Sequence, residues 1–82
     1  MPWTEASAQM LGARLRVLRL DRGLNQDELS ASARISAKHL QLLESGRASG
    51  NRPGGSNPRL STLFLLAEAL DVSIERLIGD LP

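Results

Sequence analysis

The sequence predicts an all-α fold around a single helical core, and three observations carry that expectation. Apolar residues make up 41% of the 82, most of them Leu and Ala, while aromatic residues are only 2%. Good helix formers therefore dominate, and the side chains that favour pleated sheets are scarce. Apolar positions recur at helical spacing, as in Leu11, Leu15 and Leu18, which share one stripe at i, i+4 and i+7. Capping residues and glycines divide the chain at intervals of one short helix. A chain of this length makes one domain, residues 1–82. A domain this small buries only about 60 to 65 percent of its unfolded surface, so its core has to be economical.

Residues 1–6 read as an N-terminal arm, with Trp3 expected to pack over the end of the first helix rather than at a contact between subunits. Helix 1 is expected over Ser7 to Arg22 and is ended by Gly23. Residues 24–46 read as two short helices and a tight turn. Asn25 can cap the first of them, and Asp27 and Glu28 suit its positive first turn. Leu29 and Ala33 lie four apart on one face. Ile35 follows too soon for an independent element, and Ser36 can cap a second helix carrying Leu40 and Leu43. Gly46 stands where a left-handed residue ends it. Residues 45–58 hold four Gly and two Pro and form the extended loop. Helix 4 is expected over Arg59 to Leu70, with Leu60, Leu63, Phe64, Ala67 and Leu70 inward. Ser73 caps helix 5, from Ile74 to Gly79. Its Ile74, Leu77, Ile78 and Leu81 outnumber the core positions of one short helix, so some should be shared with a second subunit.

Composition removes several functions. Without cysteine there is no disulfide framework and no thiolate metal site, and the single His39 cannot hold a metal alone. The sequence carries no nucleophile triad, Walker loop or dinucleotide fingerprint, so neither an enzyme nor a cofactor is expected. No segment approaches the ~20 apolar residues of a membrane span, and Met1-Pro-Trp-Thr-Glu5 does not resemble a signal peptide. A cytoplasmic protein with no membrane and no small-molecule ligand is the expectation. The net charge of +1 is unevenly spread. Residues 14–59 hold nine Arg or Lys against four acids, and residues 60–82 hold one Arg against four acids. That asymmetry suits one face toward a polyanion, and equally an ordinary solvated surface.

Packed through Leu29, Ala33, Ile35, Leu40 and Leu43, the hairpin of residues 24–46 leaves Ala37, Lys38, Gln41 and Leu42 outward. A protruding helix with small and polar side chains suits the reading of base edges in a DNA major groove. The spacing alone fits a plain helical hairpin equally well. Resemblance separates the two. From about Leu11 to Leu81 the chain resembles the Cro/CI-type (XRE-type) helix-turn-helix family. The resemblance rests on Arg22-Gly-Leu-Asn-Gln26, Glu28-Leu29, Ile35-Ser36, Leu43-Glu-Ser-Gly46 and Leu66-Ala-Glu-Ala-Leu-Asp-Val-Ser-Ile74 in that order and spacing.

The resemblance implies a compact five-helix, lambda-repressor-like domain with helices 2 and 3 as the helix-turn-helix. It also implies an Arg19–Glu44 ion pair fixing helix 3 against helix 1, and phosphate contact by Gln26. Three departures stand out: Arg34 and Asp71 occupy positions where the family usually or often has Gly, and the 45–58 loop is several residues longer. Ser36, Ala37, Lys38 and Gln41 would come nearest the bases. Ser36 would divide its hydroxyl between capping and phosphate, and Ala37 would meet a thymine methyl. Lys38 would donate to guanine or make a non-specific phosphate contact, and Gln41 would pair with adenine or bridge to phosphate. Leu42 would offer only a methyl contact or core packing. His39, Arg47, Arg52 and Arg59 are the weaker candidates for the DNA backbone. The expected function is a regulator that binds a two-fold-related operator as a homodimer and is governed by its own concentration. Restriction-modification controllers fit that profile. An autoregulating antitoxin and a protein-interaction adaptor that does not bind DNA remain the alternatives.

Overall fold

Side-chain caps at four of the five helix starts account for where the helices begin. In the computed structural model, residues 3–47 and 57–82 are described. They form α1 (Glu5–Asp21), α2 (Gln26–Ala33), α3 (Ala37–Ser45), α4 (Leu60–Leu70) and α5 (Ile74–Ile78), with no strand among the described residues. Asn25, Ser36 and Ser73 each accept a backbone N–H with their side chains, at 2.7, 3.0 and 3.2 Å. Glu28 returns the bond to the Asn25 amide at 2.9 Å, completing a capping box. Helix α1 starts two residues before the expected Ser7. Thr4 is the cap, its hydroxyl accepting from the Ser7 amide at 3.1 Å while Ser7 Oγ accepts from the Thr4 amide at 3.2 Å. Apolar periodicity missed this box because the stripe it follows begins only at Leu11. At α4 the cap residue, Arg59, makes no side-chain cap bond.

The first four helices end in one device. A left-handed residue stands just past each helix end, directly after α2, α3 and α4 and after the intervening Arg22 in α1: Arg34, Gly46, Asp71 and Gly23, with φ of 60, 74, 56 and 69°. In each case the next residue's amide reaches back five positions. Leu24 donates to Arg19, Ile35 to Ser30, Arg47 to Leu42 and Val72 to Ala67, at 3.0–3.1 Å. These are Schellman closures, and they satisfy carbonyls the helix leaves open. Two of the four use glycine. At Arg34 and Asp71 a Cβ sits in the left-handed region, at roughly 1 kcal/mol of strain each.

The core is almost entirely Leu and Ala. Ala8, Leu11, Leu15 and Leu18 of α1 meet Leu29, Ala33, Leu40, Leu43, Leu63, Leu66, Ala67, Leu70 and Leu77, all buried. Trp3, Ile35, Ile74, Ile78 and Leu81 lie half-buried against it. Trp3 thus packs within the chain, as expected. Two assignments are corrected. Leu60 and Phe64 were expected inward but are 59% and 52% exposed, and Leu66 takes the core position instead. Helix α4 is apolar nearly all round, so its sequence admits two overlapping stripes. The buried one runs through Thr62, Leu63, Leu66, Ala67 and Leu70, and Leu60 and Phe64 lie roughly 90–130° from its middle at 100° per residue. Helix α5 buries Leu77 fully and leaves Ile74 and Ile78 half-buried against the core. Exposed apolar side chains stand on α4, at Leu60, Phe64 and Leu65, and on α1, at Met10, Val17 and Leu20.

Helices α1 and α3 pass unusually close. A Cβ built on Gly12 would lie 2.5 Å from the Glu44 carbonyl oxygen and 2.6 Å from that of Leu43. Gly46 closes the same contact from the other side, where its own Cβ would meet Gln9 Cα at 3.1 Å.

Gly12→Ala tests the close approach. Helix propensity alone favours Ala by about 1 kcal/mol, but overpacking against backbone costs about 1–3 kcal/mol or more. The expected outcome is a melting temperature lowered by several degrees. An unchanged or raised value would show that the helices can part at no cost. Arg34→Gly should do the opposite: at an exposed left-handed position it is expected to stabilise by up to about 1 kcal/mol, seen as a higher urea midpoint at constant slope. A clear fall would mean the Arg34 side chain makes a contact the fold needs.

Candidate nucleic-acid interface

The hairpin of α2 and α3 is held from beneath by one ion pair. Arg19 Nε donates to Glu44 Oε2 at 2.7 Å and Arg19 Nη2 to Oε1 at 3.0 Å, a two-pronged bond across α1 and α3. Both side chains are nearly buried, 10% and 5% exposed. Arg19 Nη1 also donates to the Leu24 carbonyl at 2.9 Å, tying in the link before α2. The hydrogen bond donated to Glu44 raises the Arg19 pKa, against a smaller opposing effect of desolvation, so the guanidinium stays charged at any working pH. The pair expected from resemblance is present. Gln26 joins it: its Nε2 donates to Glu44 Oε1 at 3.1 Å.

That lock fixes what α3 presents. Lys38 and Gln41 are exposed, and Ala37, His39 and Leu42 half-buried. Ser36 accepts the His39 amide with its oxygen, so its own proton is left to donate outward. Lys38, Gln41 and Ser45 recur at i, i+3 and i+7 and form one outward stripe. Arg47 and Arg59 are exposed just beyond α3 and just before α4. Arg52 and most of the loop that carries it, residues 48–56, lie outside the described residues.

The basic residues sort into two groups. Arg14 donates to the Leu77 carbonyl at 3.1 Å and also to that of Gly79, so it caps α5. Arg19 is consumed by Glu44, and Arg22 stands a loose 3.9 Å from Asp71. Arg16, Arg34, Lys38, Arg47, Arg59 and Arg76 make no ion pair among the described residues. Arg16 had no assigned role in the sequence. It lines a polar cleft of about 270 Å³ with Arg19, Gln26, Gln41, Glu44 and Ser45. A signal for it existed: Arg16 precedes Arg19 by three residues, which puts both on the face of α1 turned to the hairpin. No described helix is long and apolar enough to cross a membrane.

No family model matches the chain. Individual relatives do. The uncharacterized HTH-type transcriptional regulator y4dJ of Sinorhizobium fredii is 36% identical over 70 residues, covering 85% of this chain and 80% of its own length. The restriction-modification controller protein C.AhdI from Aeromonas hydrophila superposes with a TM-score of 0.74 at 30% identity, over 88% of this chain and 97% of that one. The N-terminal DNA binding domain of SinR from Bacillus subtilis gives a TM-score of 0.74 at 25% identity, over 88% and 94%. A SinR structure in complex with DNA gives 0.69 at 25% identity, over 84% and 98%. Identity at this level across most of both chains, on a shared five-helix frame, makes this chain a member of the helix-turn-helix transcriptional regulators of the Cro/CI (XRE) type, a family of regulators and not of enzymes.

Proposed function

We propose that the protein is a sequence-specific DNA-binding regulator that occupies a two-fold-related operator as a homodimer, with α3 in the major groove. The observation that carries this reading is the outward stripe of α3, whose Lys38 and Gln41 have no hydrogen-bond or ion-pair partner among the described residues, on a hairpin immobilised by Arg19 and Glu44. A side chain that must contact DNA is useful only if it is free and its backbone is fixed. Ala37 meets a thymine methyl, Lys38 donates to guanine O6 and N7, and Leu42 adds a methyl contact. Gln26 and Ser36 touch phosphate, and His39, Arg47, Arg52 and Arg59 follow the backbone. Control of a restriction-modification operon is the role best supported, through the likeness to C.AhdI over nearly its whole length. Such a protein acts in the cytoplasm, where its DNA is, and regulates through its own concentration.

Dimerisation is assigned to α4. Leu60 and Phe64 are i, i+4 neighbours and more than half exposed, whereas Leu77 is in the core. Two residues from each subunit are a small interface, so the dimer should be weak alone and completed by DNA, which holds the two recognition helices about 34 Å apart.

Two measurements test these assignments. Lys38→Ala is expected to cost about 1–3 kcal/mol on the preferred site, found by selection from a random pool, and to relax preference at one base pair. Equal losses on preferred and scrambled duplex would leave Lys38 as a positioning contact only. In sedimentation at micromolar concentration, with and without operator duplex, Phe64→Glu should abolish the dimer while its melting temperature stays near wild type. A variant that dimerises as well as wild type would remove α4 from the interface.

A further inference from the structure

We infer that the polar cleft between α1 and the hairpin is a seat for one phosphodiester of the DNA backbone, with Arg16 as its cation and Gln26 and Gln41 as its hydrogen-bond donors. The inference rests on the DNA-binding reading and assigns to it a contact outside the helix-turn-helix. Arg16, Gln26, Gln41 and Ser45 line the cleft together with Arg19 and Glu44.

A carboxylate in an anion site would ordinarily repel the ligand. Here both oxygens of Glu44 are occupied: Oε2 accepts from Arg19 Nε, and Oε1 accepts from Arg19 Nη2 and Gln26 Nε2. Its charge is matched at 2.7 Å by a nearly buried guanidinium. The cleft therefore keeps one uncompensated charge, that of exposed Arg16, which has no acidic partner among the described residues. Gln26 gives Glu44 one of its two amide protons, and the other remains available. Gln41 is exposed at the cleft with no internal partner. One cation and two amide donors around a cleft of about 270 Å³ suit a single tetrahedral monoanion. The cleft also explains a division of labour along α3. Gln41 and Ser45 are shared with α1, so Gln41 belongs to the backbone-contacting group and base reading is left to Ala37 and Lys38. Arg16 extends the footprint to α1, which the hairpin motif alone would not include.

The test uses the full chain and fluorescence anisotropy on preferred and scrambled duplexes over a range of salt. Arg16→Gln should weaken both duplexes by the same factor and lower the log–log salt slope by about 0.9, one phosphate's worth of released counterions. Arg16→Lys should restore the slope, because a point charge suffices. Gln41→Ala should likewise weaken both duplexes equally, with no change of slope. Melting temperatures of all variants should match wild type, since neither side chain has an internal partner. A wild type that binds DNA while Arg16→Gln keeps the full slope overturns the seat alone. A loss in Gln41→Ala confined to the preferred site overturns the place of Gln41 in it. A wild type that binds no duplex overturns the DNA reading, and the seat with it. Inorganic phosphate at millimolar concentration and matched ionic strength should leave the melting temperature unchanged. A rise seen in wild type and lost in Arg16→Gln would make the cleft a site for free phosphate and overturn its assignment to DNA.

Discussion

The contact between Arg19 and Glu44 is the constraint on which the arrangement of the hairpin depends. Removing two charges from water costs several kcal/mol per ion, and a buried pair often returns little net stability. What this pair supplies is geometry. A planar guanidinium with two prongs on one carboxylate fixes distance and angle together, and its third nitrogen on the Leu24 carbonyl fixes the entry to α2. Helices α1, α2 and α3 are thereby referenced to a single side chain. Hydrophobic packing through Leu29, Ala33, Leu40 and Leu43 brings the helices together, but Leu and Ala contacts are non-directional and would tolerate sliding. The ion pair selects one register.

The same register demands the close passage at Gly12. Bringing Glu44 within reach of Arg19 lays the end of α3 across α1, and the carbonyls of Leu43 and Glu44 come to rest where a Cβ of residue 12 would be. A glycine inside a helix costs about 1 kcal/mol against alanine, and here that cost permits the approach that the ion pair needs. The turns obey a different economy. Four helices close with the same left-handed residue, yet Arg34 and Asp71 hold that conformation with a side chain attached. The closure depends on backbone hydrogen bonds from the following amides, which any residue can make, so the strain of a Cβ is tolerated where those bonds form.

Charge in this protein is divided between holding the fold and facing outward. Arg14 and Arg19 are turned inward onto carbonyls and a carboxylate, one fastening α5 and the other the hairpin. Arg16, between them in sequence, is turned to the cleft. On a helix, residues two apart point in different directions, and the alternating Arg14-Leu-Arg-Val-Leu-Arg19 run distributes its charges among different neighbours. Net charge in the basic stretch therefore overstates the cation available to a ligand.

Local chemistry was legible from the sequence. Asn25, Ser36 and Ser73 capped the helices they were expected to cap, Gly23 and Gly46 ended theirs, and the hairpin core of Leu29, Ala33, Leu40 and Leu43 was assigned correctly. These features depend on side chains within a few residues of the backbone they serve. The Arg19–Glu44 pair, 25 residues apart, was reached only through resemblance to a family. Tertiary structure alone decided three further things: which stripe of α4 is buried, that Leu77 belongs to the core, and that Gly12 lies against α3 and Arg16 in the cleft. Helix α4 is apolar on almost every side, so its periodicity admits two stripes, and only docking against α2 and α5 chooses Leu66 over Leu60 and Phe64. Gly12 and Arg16 are ordinary helical residues until α3 is laid across α1. Their parts are set by atoms about 30 residues away in the chain, and no local pattern encodes the position of those atoms.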